Sequence, residues 1–299
     1  MLPDKTLALI QNATEGRVRF FTNDPPFAPE EYRLRLLCPA DLDHFFKRLE
    51  EPRELIETFV KREFPVVGTT YLAPEFALGS VNRGDLWNQR RSLVAYWGTA
   101  QRPAYLHLRF LHDGYDFADA QFFSVQRQGT VLAGVVLGTD GGDTHVSLDR
   151  ITNGMLRARD LRLRFEFGGS ASSRSITVPD RIEAPVALKF GEVRLDLQVL
   201  FACFGREDGR WEAGADPAKK TAWLDMVFYS GERREFKIRE LEQAAAGFCL
   251  SISAGQQGQP VVSGERHDGR FELKSKSPEL HLSLPVKPAK VGELQRQPH

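Results

Sequence analysis

Leu161-Arg162-Leu163-Arg164-Phe165-Glu166-Phe167 alternates apolar and charged side chains without exception. Successive side chains of a strand point to opposite faces, so this stretch buries one face and presents the other to water. A helix would scatter the same residues around its axis. Val193-Arg194-Leu195-Asp196-Leu197-Gln198-Val199 repeats the pattern, and Leu280-His281-Leu282-Ser283-Leu284 does so again near the end. On either side of these, strands are predicted over 69–72, 91–97, 104–111, 120–126, 131–137, 175–178, 222–229, 234–238, 247–252 and 261–263. Turn signals such as Asp140-Gly141-Gly142, Phe190-Gly191, Asp208-Gly209, Ser230-Gly231 and Asp268-Gly269 separate many of them. So many short strands at hairpin spacing imply an all-β protein with minor helices, built as a large antiparallel β-sandwich.

The opening of the chain reads differently. Residues 17–21 and 32–37 suit short strands, whereas Pro39 suits a first helical turn and predicts a helix over 41–49. Leu55, Ile56 and Phe59 share a helical face and predict a second helix over 53–62, which Pro65 stops. A third helix is predicted over 238–246, with Gly247 as its C-cap. The expected organisation is a partly helical lead-in over 1–65, a sandwich over 66–285, and a polar tail over 286–299 that runs along the surface or frays. There is no internal repeat.

A chain of 299 residues with 41% hydrophobic content can build a substantial core. Forty Lys and Arg balance forty Asp and Glu, so the net charge of zero supplies no broad attraction to nucleic acid or to an anionic membrane. Cys38, Cys203 and Cys249 are far apart and lack metal-ligand spacing, which predicts buried free thiols rather than a disulfide framework or a zinc site. No metal or cofactor is expected. No stretch approaches the roughly 20 apolar residues of a membrane helix, and the N-terminus lacks a signal-peptide pattern. With Met1 as the start, the expected location is the cytoplasm.

The least generic chemistry lies in Thr69-Thr70-Tyr71-Leu72-Ala73-Pro74-Glu75-Phe76-Ala77-Leu78-Gly79-Ser80 and in Asp85-Leu86-Trp87-Asn88-Gln89-Arg90-Arg91. Aromatic faces stack on the C–H surfaces of sugars, while amides and guanidinium groups bind hydroxyls or carboxylates. Tyr71, Asn82, Trp87, Asn88, Gln89, Arg90 and His107 are therefore the candidate ligand-binding residues. A packed β corner with Tyr71 and Trp87 in the core accounts for the same stretch. The order Thr-x-Tyr-x-x-Pro-x-Phe-x-Leu-Gly-Ser, then a Trp and Gln leading into a strand, resembles the β-supersandwich domain of the heparinase II/III-like polysaccharide lyases, over about 65–148.

That resemblance implies a sandwich of supersandwich type beside an α-helical toroid, with the helical lead-in standing for the toroid's last helices. It also implies that the catalytic tyrosine and one histidine belong on the toroid, for which the stretch ahead of Thr69 is too short. No catalytic role is carried onto Tyr71. Lyase chemistry needs a neutraliser for the uronate carboxylate, a base and an acid. Asn82, Gln89, Arg90, His107 and His112 are the types at hand, but strand alternation sends His107 and His112 to opposite faces.

Other motifs carry less. Asp113, Asp116 and Asp119 lack the spacing of a calcium loop and read as a solvated turn. Residues 138–145 are glycine-rich without the Lys-Ser/Thr and helix of a phosphate cradle. No Gly-x-Ser-x-Gly elbow occurs, and Cys38 has no evident His partner. Arg157, Arg159, Arg162 and Arg164 form the densest basic run, suited to an acidic glycan or to pairing with Glu166 and neighbouring carboxylates. The expectation is a carbohydrate-associated β-sandwich protein that binds a saccharide or supports a glycan-processing partner. Its alternatives are a polysaccharide lyase or other glycan-active enzyme completed by a preceding domain or second subunit, and a structural or oligomerisation module. The expected partners are an oligo- or polysaccharide, acidic ones included, a second copy of the chain, or a helical domain.

Overall fold

The computed structural model describes residues 53–61, 64–83, 92–99, 101–116, 119–140, 151, 154–172, 176–255 and 260–297. All of these belong to one unit, Pro52–His299. The helix expected over 41–49 and the strands expected over 17–21 and 32–37 lie outside the described residues.

In chain order the first strands are β1 (Arg53–Lys61), β2 (Phe64–Leu72), β3 (Phe76–Asn82), β4 (Leu93–Thr99), β5 (Arg102–His112) and β6 (Tyr115–Asp116). Then come β7 (Ala120–Arg127), β8 (Thr130–Leu137), β9 (Met155–Gly169), β10 (Val186–Phe190), β11 (Val193–Phe204) and β12 (Glu207–Asp208). The last are β13 (Arg210–Asp216), β14 (Thr221–Lys237), β15 (Ala244–Ala254), β16 (Val262–His267), β17 (Arg270–Lys276) and β18 (Glu279–Pro285), followed by the short helix α1 (Val291–Arg296).

These strands form three antiparallel sheets. A nine-stranded sheet runs β1-β2-β3-β4-β5-β9-β14-β13, with β6 paired on β5. A six-stranded sheet runs β10-β11-β15-β8-β7, with β12 on β11, and a three-stranded sheet runs β16-β17-β18. The apolar half of the alternation in β9 faces the middle sheet: Leu161, Leu163, Phe165 and Phe167 join Val131, Ala133, Val135, Phe248 and Leu250 in the main core. A second core lies on the other side of the middle sheet, where Leu132, Val136 and Cys249 meet Leu273, Leu282 and Leu284 of the third. The protein is thus an all-β sandwich of three sheets whose middle sheet is buried on both faces.

Double burial explains why β8, Thr-Val-Leu-Ala-Gly-Val-Val-Leu, is buried at every position and carries no charge. It also explains two glycines. Gly134 and Gly247 are register partners on β8 and β15. A Cβ on Gly134 would run into Leu284 Cδ1 and lie 2.6 Å from the Ala246 carbonyl oxygen; one on Gly247 would strike the Phe201 ring and lie 2.9 Å from Leu273 Cδ2. The missing side chains make the hollow into which the third sheet seats its leucines. Beside it, Phe201 of β11 stacks on Phe271 of β17 at 3.9 Å between centroids.

The free edge of the middle sheet, β7, is capped from the large sheet. Asn82 Oδ1 accepts from the Ser124 amide at 3.0 Å, the Arg83 amide donates to the Phe122 carbonyl at 3.1 Å, and Gln126 Nε2 donates to the Leu78 carbonyl at 3.0 Å. An edge strand otherwise presents a row of unpaired backbone groups.

Four expectations are corrected. The helix predicted over 53–62 is strand β1, paired along its whole length with β2. Its Ile56, Thr58, Phe59 and Val60 are β-branched or aromatic, and Leu55-x-x-x-Phe59 satisfies a two-residue period as well as a helical one. The helix predicted over 238–246 is a single 3-10 turn, Ile238–Glu240, before β15. Ala244, Ala245 and Ala246 have high helix propensity, but they are fully buried in a strand hydrogen-bonded on both sides, and tertiary packing overrides propensity. Residues 176–179 are irregular rather than strand, with Ile176 and Val178 packed on the core without a ladder. At Ser230-Gly231 the chain does not turn back; β14 continues through register shifts, and the predicted turn is a bulge.

The tail also packs more closely than its polarity suggests. Val286 and Leu294 are buried, Gly138 bridges Ala289 in parallel, and the Val291 amide donates to Asp140 Oδ1 at 3.0 Å. Asp140 of the glycine-rich 138–145 stretch therefore holds the tail.

The paired-glycine hollow generates a stability prediction. Gly134→Ala and Gly247→Ala should each cost about 1–3 kcal/mol, the usual range for overpacking a close-packed interior. Urea unfolding followed by tryptophan fluorescence reads this as a lowered midpoint; an unchanged midpoint would show that the third sheet does not depend on the hollow.

Candidate functional site

The outward half of the β9 alternation meets its neighbours on the exposed face of the large sheet. Cross-strand partners project to the same side. Register places Tyr96 opposite Tyr105, Tyr105 opposite Gly168, His107 opposite Glu166, and Arg109 opposite Arg164. On the other side of β9, Glu166 faces Trp223 and Arg164 faces Asp225, while Trp223 in turn faces Gly214 of β13. One continuous surface therefore crosses β4, β5, β9, β14 and β13.

Its charged part is a closed network. Arg109 donates to Asp116 and, at 2.9 Å, to Glu166 Oε2. Arg164 donates through Nε and Nη2 to the two oxygens of Asp225, both at 2.8 Å, in the bidentate geometry that gives the strongest guanidinium–carboxylate contact. Arg162 donates to Asp160, to Glu212 at 3.2 Å and to Asp225 at 2.8 Å. Asp225 is fully buried beneath these two guanidinium groups.

The hydrogen bonds that Arg162 donates to Asp160, reinforced by the one to Asp225, hold it well above its ordinary pKa against the cost of burial. At Arg109 burial acts to lower the pKa, but the bonds to Asp116 and Glu166 outweigh it and the net shift is upward. Both cations stay charged, and their side chains are held in place by their partners.

The aromatic part rests on glycines. The Tyr105 ring lies over Gly168, where any Cβ would meet it, and Trp223 leans over Gly214, whose added Cβ would come within 2.6 Å of Trp223 Cζ2. Arg164 sits 4.4 Å from the Trp223 centroid, and Tyr105 and His107 are tilted against each other at 4.5 Å. Tyr96 hydroxyl and His107 Nε2 are 3.3 Å apart, and Tyr96 is 45% exposed, one of three large hydrophobic side chains so exposed among the described residues. Over the charged part opens a cavity of about 540 Å³, lined by Arg109, Arg162, Arg164, Glu166 and Lys219 among others, with Trp223 as its one aromatic wall.

The residues expected to bind a ligand are distributed over both faces of the large sheet. His107 lies on the outer face. Tyr71 points inward, packed on the core with its ring 5.8 Å from Phe76, and Asn82 is buried at the β7 edge. Trp87, Asn88, Gln89 and Arg90 lie outside the described residues. His112, expected opposite to His107, is buried with Nε2 2.7 Å from the Arg157 carbonyl.

The three acidic candidates diverge. Asp113 Oδ1 accepts from the Arg159 and Asp160 amides, Asp116 meets Arg109, and Asp119 is buried. Among the described residues no group of three or more His, Cys, Asp or Glu side chains is placed to hold a metal ion. Cys203 and Cys249 are buried free thiols, their pKa values pushed by burial to about 11 and about 12. No helix among the described residues is long and apolar enough to cross a membrane.

Sequence reasoning singled out Arg162 and Arg164 as a pair sharing a face and Glu166 as their neighbour, but it passed over Tyr96, Tyr105, Trp223 and Asp225. Alternation in Ala222-Trp223-Leu224-Asp225-Met226 held a usable signal, since Trp223 and Asp225 share the face opposite Leu224. Nothing local indicated that this face adjoins the one bearing Arg164.

No family model and no curated protein matches the chain. Among solved structures it is similar to a heparinase III gene product with methylated lysines, at 9% identity over 83% of this chain and 46% of that one, with a TM-score of 0.35. It is also similar to a heparinase III gene product at 7% identity over 84% of this chain and 33% of that one, with a TM-score of 0.26. The chain spans less than half the length of either.

The buried carboxylate should dominate the stability of the network. Asp225→Asn leaves two guanidinium groups short of a counter-charge and should cost about 3–5 kcal/mol, as breaking a buried ion pair does. Glu212→Gln, at a carboxylate whose own side chain is 40% exposed, should cost under about 1 kcal/mol. Chemical denaturation of both variants measures the contrast, and equal effects would contradict it.

Proposed function

We propose that this protein binds a saccharide on the outer face of its nine-stranded sheet. The observation that carries the reading is the adjacency on one sheet face of the Tyr96, Tyr105, His107 and Trp223 rings with guanidinium and carboxylate groups fixed by one another, beside a cavity of about 540 Å³ that Trp223 helps to line. Sugar rings offer apolar C–H faces and an outer belt of hydroxyls. Aromatic side chains meet the first, and the second needs donors and acceptors that are already oriented.

The network supplies both. Arg109 spends three N–H groups on Asp116 and Glu166, leaving two of its five to donate, and Glu166 Oε1 remains as an acceptor beside Oε2. Because the side chains are ordered before any ligand arrives, little conformational entropy is lost on binding. The resemblance of the Thr69–Ser80 stretch to polysaccharide lyases favours a glycan over other polyhydroxylated ligands. His107, expected from sequence to contact the ligand, belongs to this surface; Tyr71 supports it from the core side of the same sheet.

Affinity electrophoresis through gels cast with a panel of soluble polysaccharides tests the reading. At least one polymer should retard the protein, and Trp223→Ala should reduce that retardation at least tenfold, about 1.4 kcal/mol, while the thermal unfolding midpoint stays within a few degrees. Retardation by no polymer, or retardation indifferent to Trp223, would refute it.

A further inference from the structure

We infer that the glycan taken by this face is uncharged, and that acidic sugars are rejected. The inference rests on the saccharide reading and concerns only which class of saccharide the site admits. It follows from how the cations of the surface are used.

An acidic glycan needs guanidinium or ammonium groups whose charge is not already met. Here each cation lining the cavity has a carboxylate of its own: Arg109 has Asp116 and Glu166, Arg162 has Asp160 and Asp225, Arg164 has Asp225, and Lys219 has Asp216 at 3.7 Å. Glu212, shared between Arg162 and Arg210, completes the group. Among the described residues, the network and the adjoining Lys219–Asp216 pair together hold five cations, Arg109, Arg162, Arg164, Arg210 and Lys219, against six carboxylates, Asp116, Asp160, Glu166, Asp216, Glu212 and Asp225. The local balance is negative by one.

A uronate or sulfate entering the cavity would face this excess of carboxylates, and even at a spare Arg109 N–H it would add negative charge beside Asp116 and Glu166, which already meet that cation. Like-charge juxtaposition disfavours a wrong partner more effectively than weak contacts do. Asp225 cannot yield, being fully buried and bidentate on Arg164. A hydroxyl meets no such obstacle, because it both accepts from a spare N–H and donates to a carboxylate oxygen without adding charge. In the fold, Arg162 and Arg164 of the basic run that reads in sequence as a surface for an acidic glycan are neutralised by Asp160, Glu212 and Asp225.

Affinity electrophoresis of the full chain tests this with two uncharged polymers, hydroxyethyl cellulose and galactomannan, and two acidic ones, polygalacturonate and dextran sulfate. The expected result is Trp223-dependent retardation by an uncharged polymer and none by the acidic pair at matched concentration. Trp223-dependent retardation by an acidic polymer would overturn the charge inference while leaving the saccharide reading intact; retardation by none would overturn both.

A second variant opens the network. Asp116→Asn, on the exposed two-residue strand β6, removes one of the two carboxylates on Arg109 and should create or raise retardation in polygalacturonate at least threefold at low salt, an effect that 0.5 M sodium chloride abolishes. No gain, in a variant with an unchanged unfolding midpoint, would count against the assignment.

Discussion

The close approach of the third sheet to the middle one governs the rest of the architecture. Two glycines, Gly134 and Gly247, sit opposite each other on neighbouring strands and leave a hollow that Leu284 and Leu273 fill. Without that hollow the three-stranded sheet could not bury its apolar face, and the face of β8 and β15 bearing Leu132, Val136 and Cys249 would be open to water. With it, the middle sheet is sealed on both sides and becomes the stiff centre of the molecule. Interiors packed to this density resist even single added methyl groups. The large sheet then lies against a fixed surface rather than a yielding one.

A rigid backing matters because the candidate site is built on strands and not on loops. Tyr105, His107 and Arg109 are successive outward positions of β5, and Arg162, Arg164 and Glu166 are those of β9. Their inward neighbours, Leu106, Leu108, Leu163 and Phe165, are locked in the main core. A side chain's position on the outer face is therefore set by packing on the inner one. The surface network adds a second constraint, since Asp225 gathers Arg162 and Arg164 at 2.8 Å while the glycines Gly168 and Gly214 make room for aromatic rings to lie close to the sheet. Positioned donors, acceptors and rings on such a backing suit recognition of a ligand with many weak contacts, for which preorganisation decides affinity.

The amino-acid sequence by itself determined the all-β class, because alternation in β9, β11 and β18 has a period of two that only strands satisfy. It also marked Arg162, Arg164 and Glu166 as sharing a face. It misled where local preference and tertiary environment disagree: Ala244–Ala246 favour a helix but occupy a doubly paired strand, and the polar tail hides Val286 and Leu294 in the interior. Only the tertiary structure decided which strands are neighbours. That pairing brings Asp225 and Trp223 of β14 against Arg164 and Glu166 of β9, residues about sixty positions apart, and so turns the Arg162 and Arg164 pair into part of a neutralised network. The physical reason is that alternation along a strand is a local property readable in a few residues, whereas cross-strand register depends on the summed burial of whole sheets and leaves no local mark.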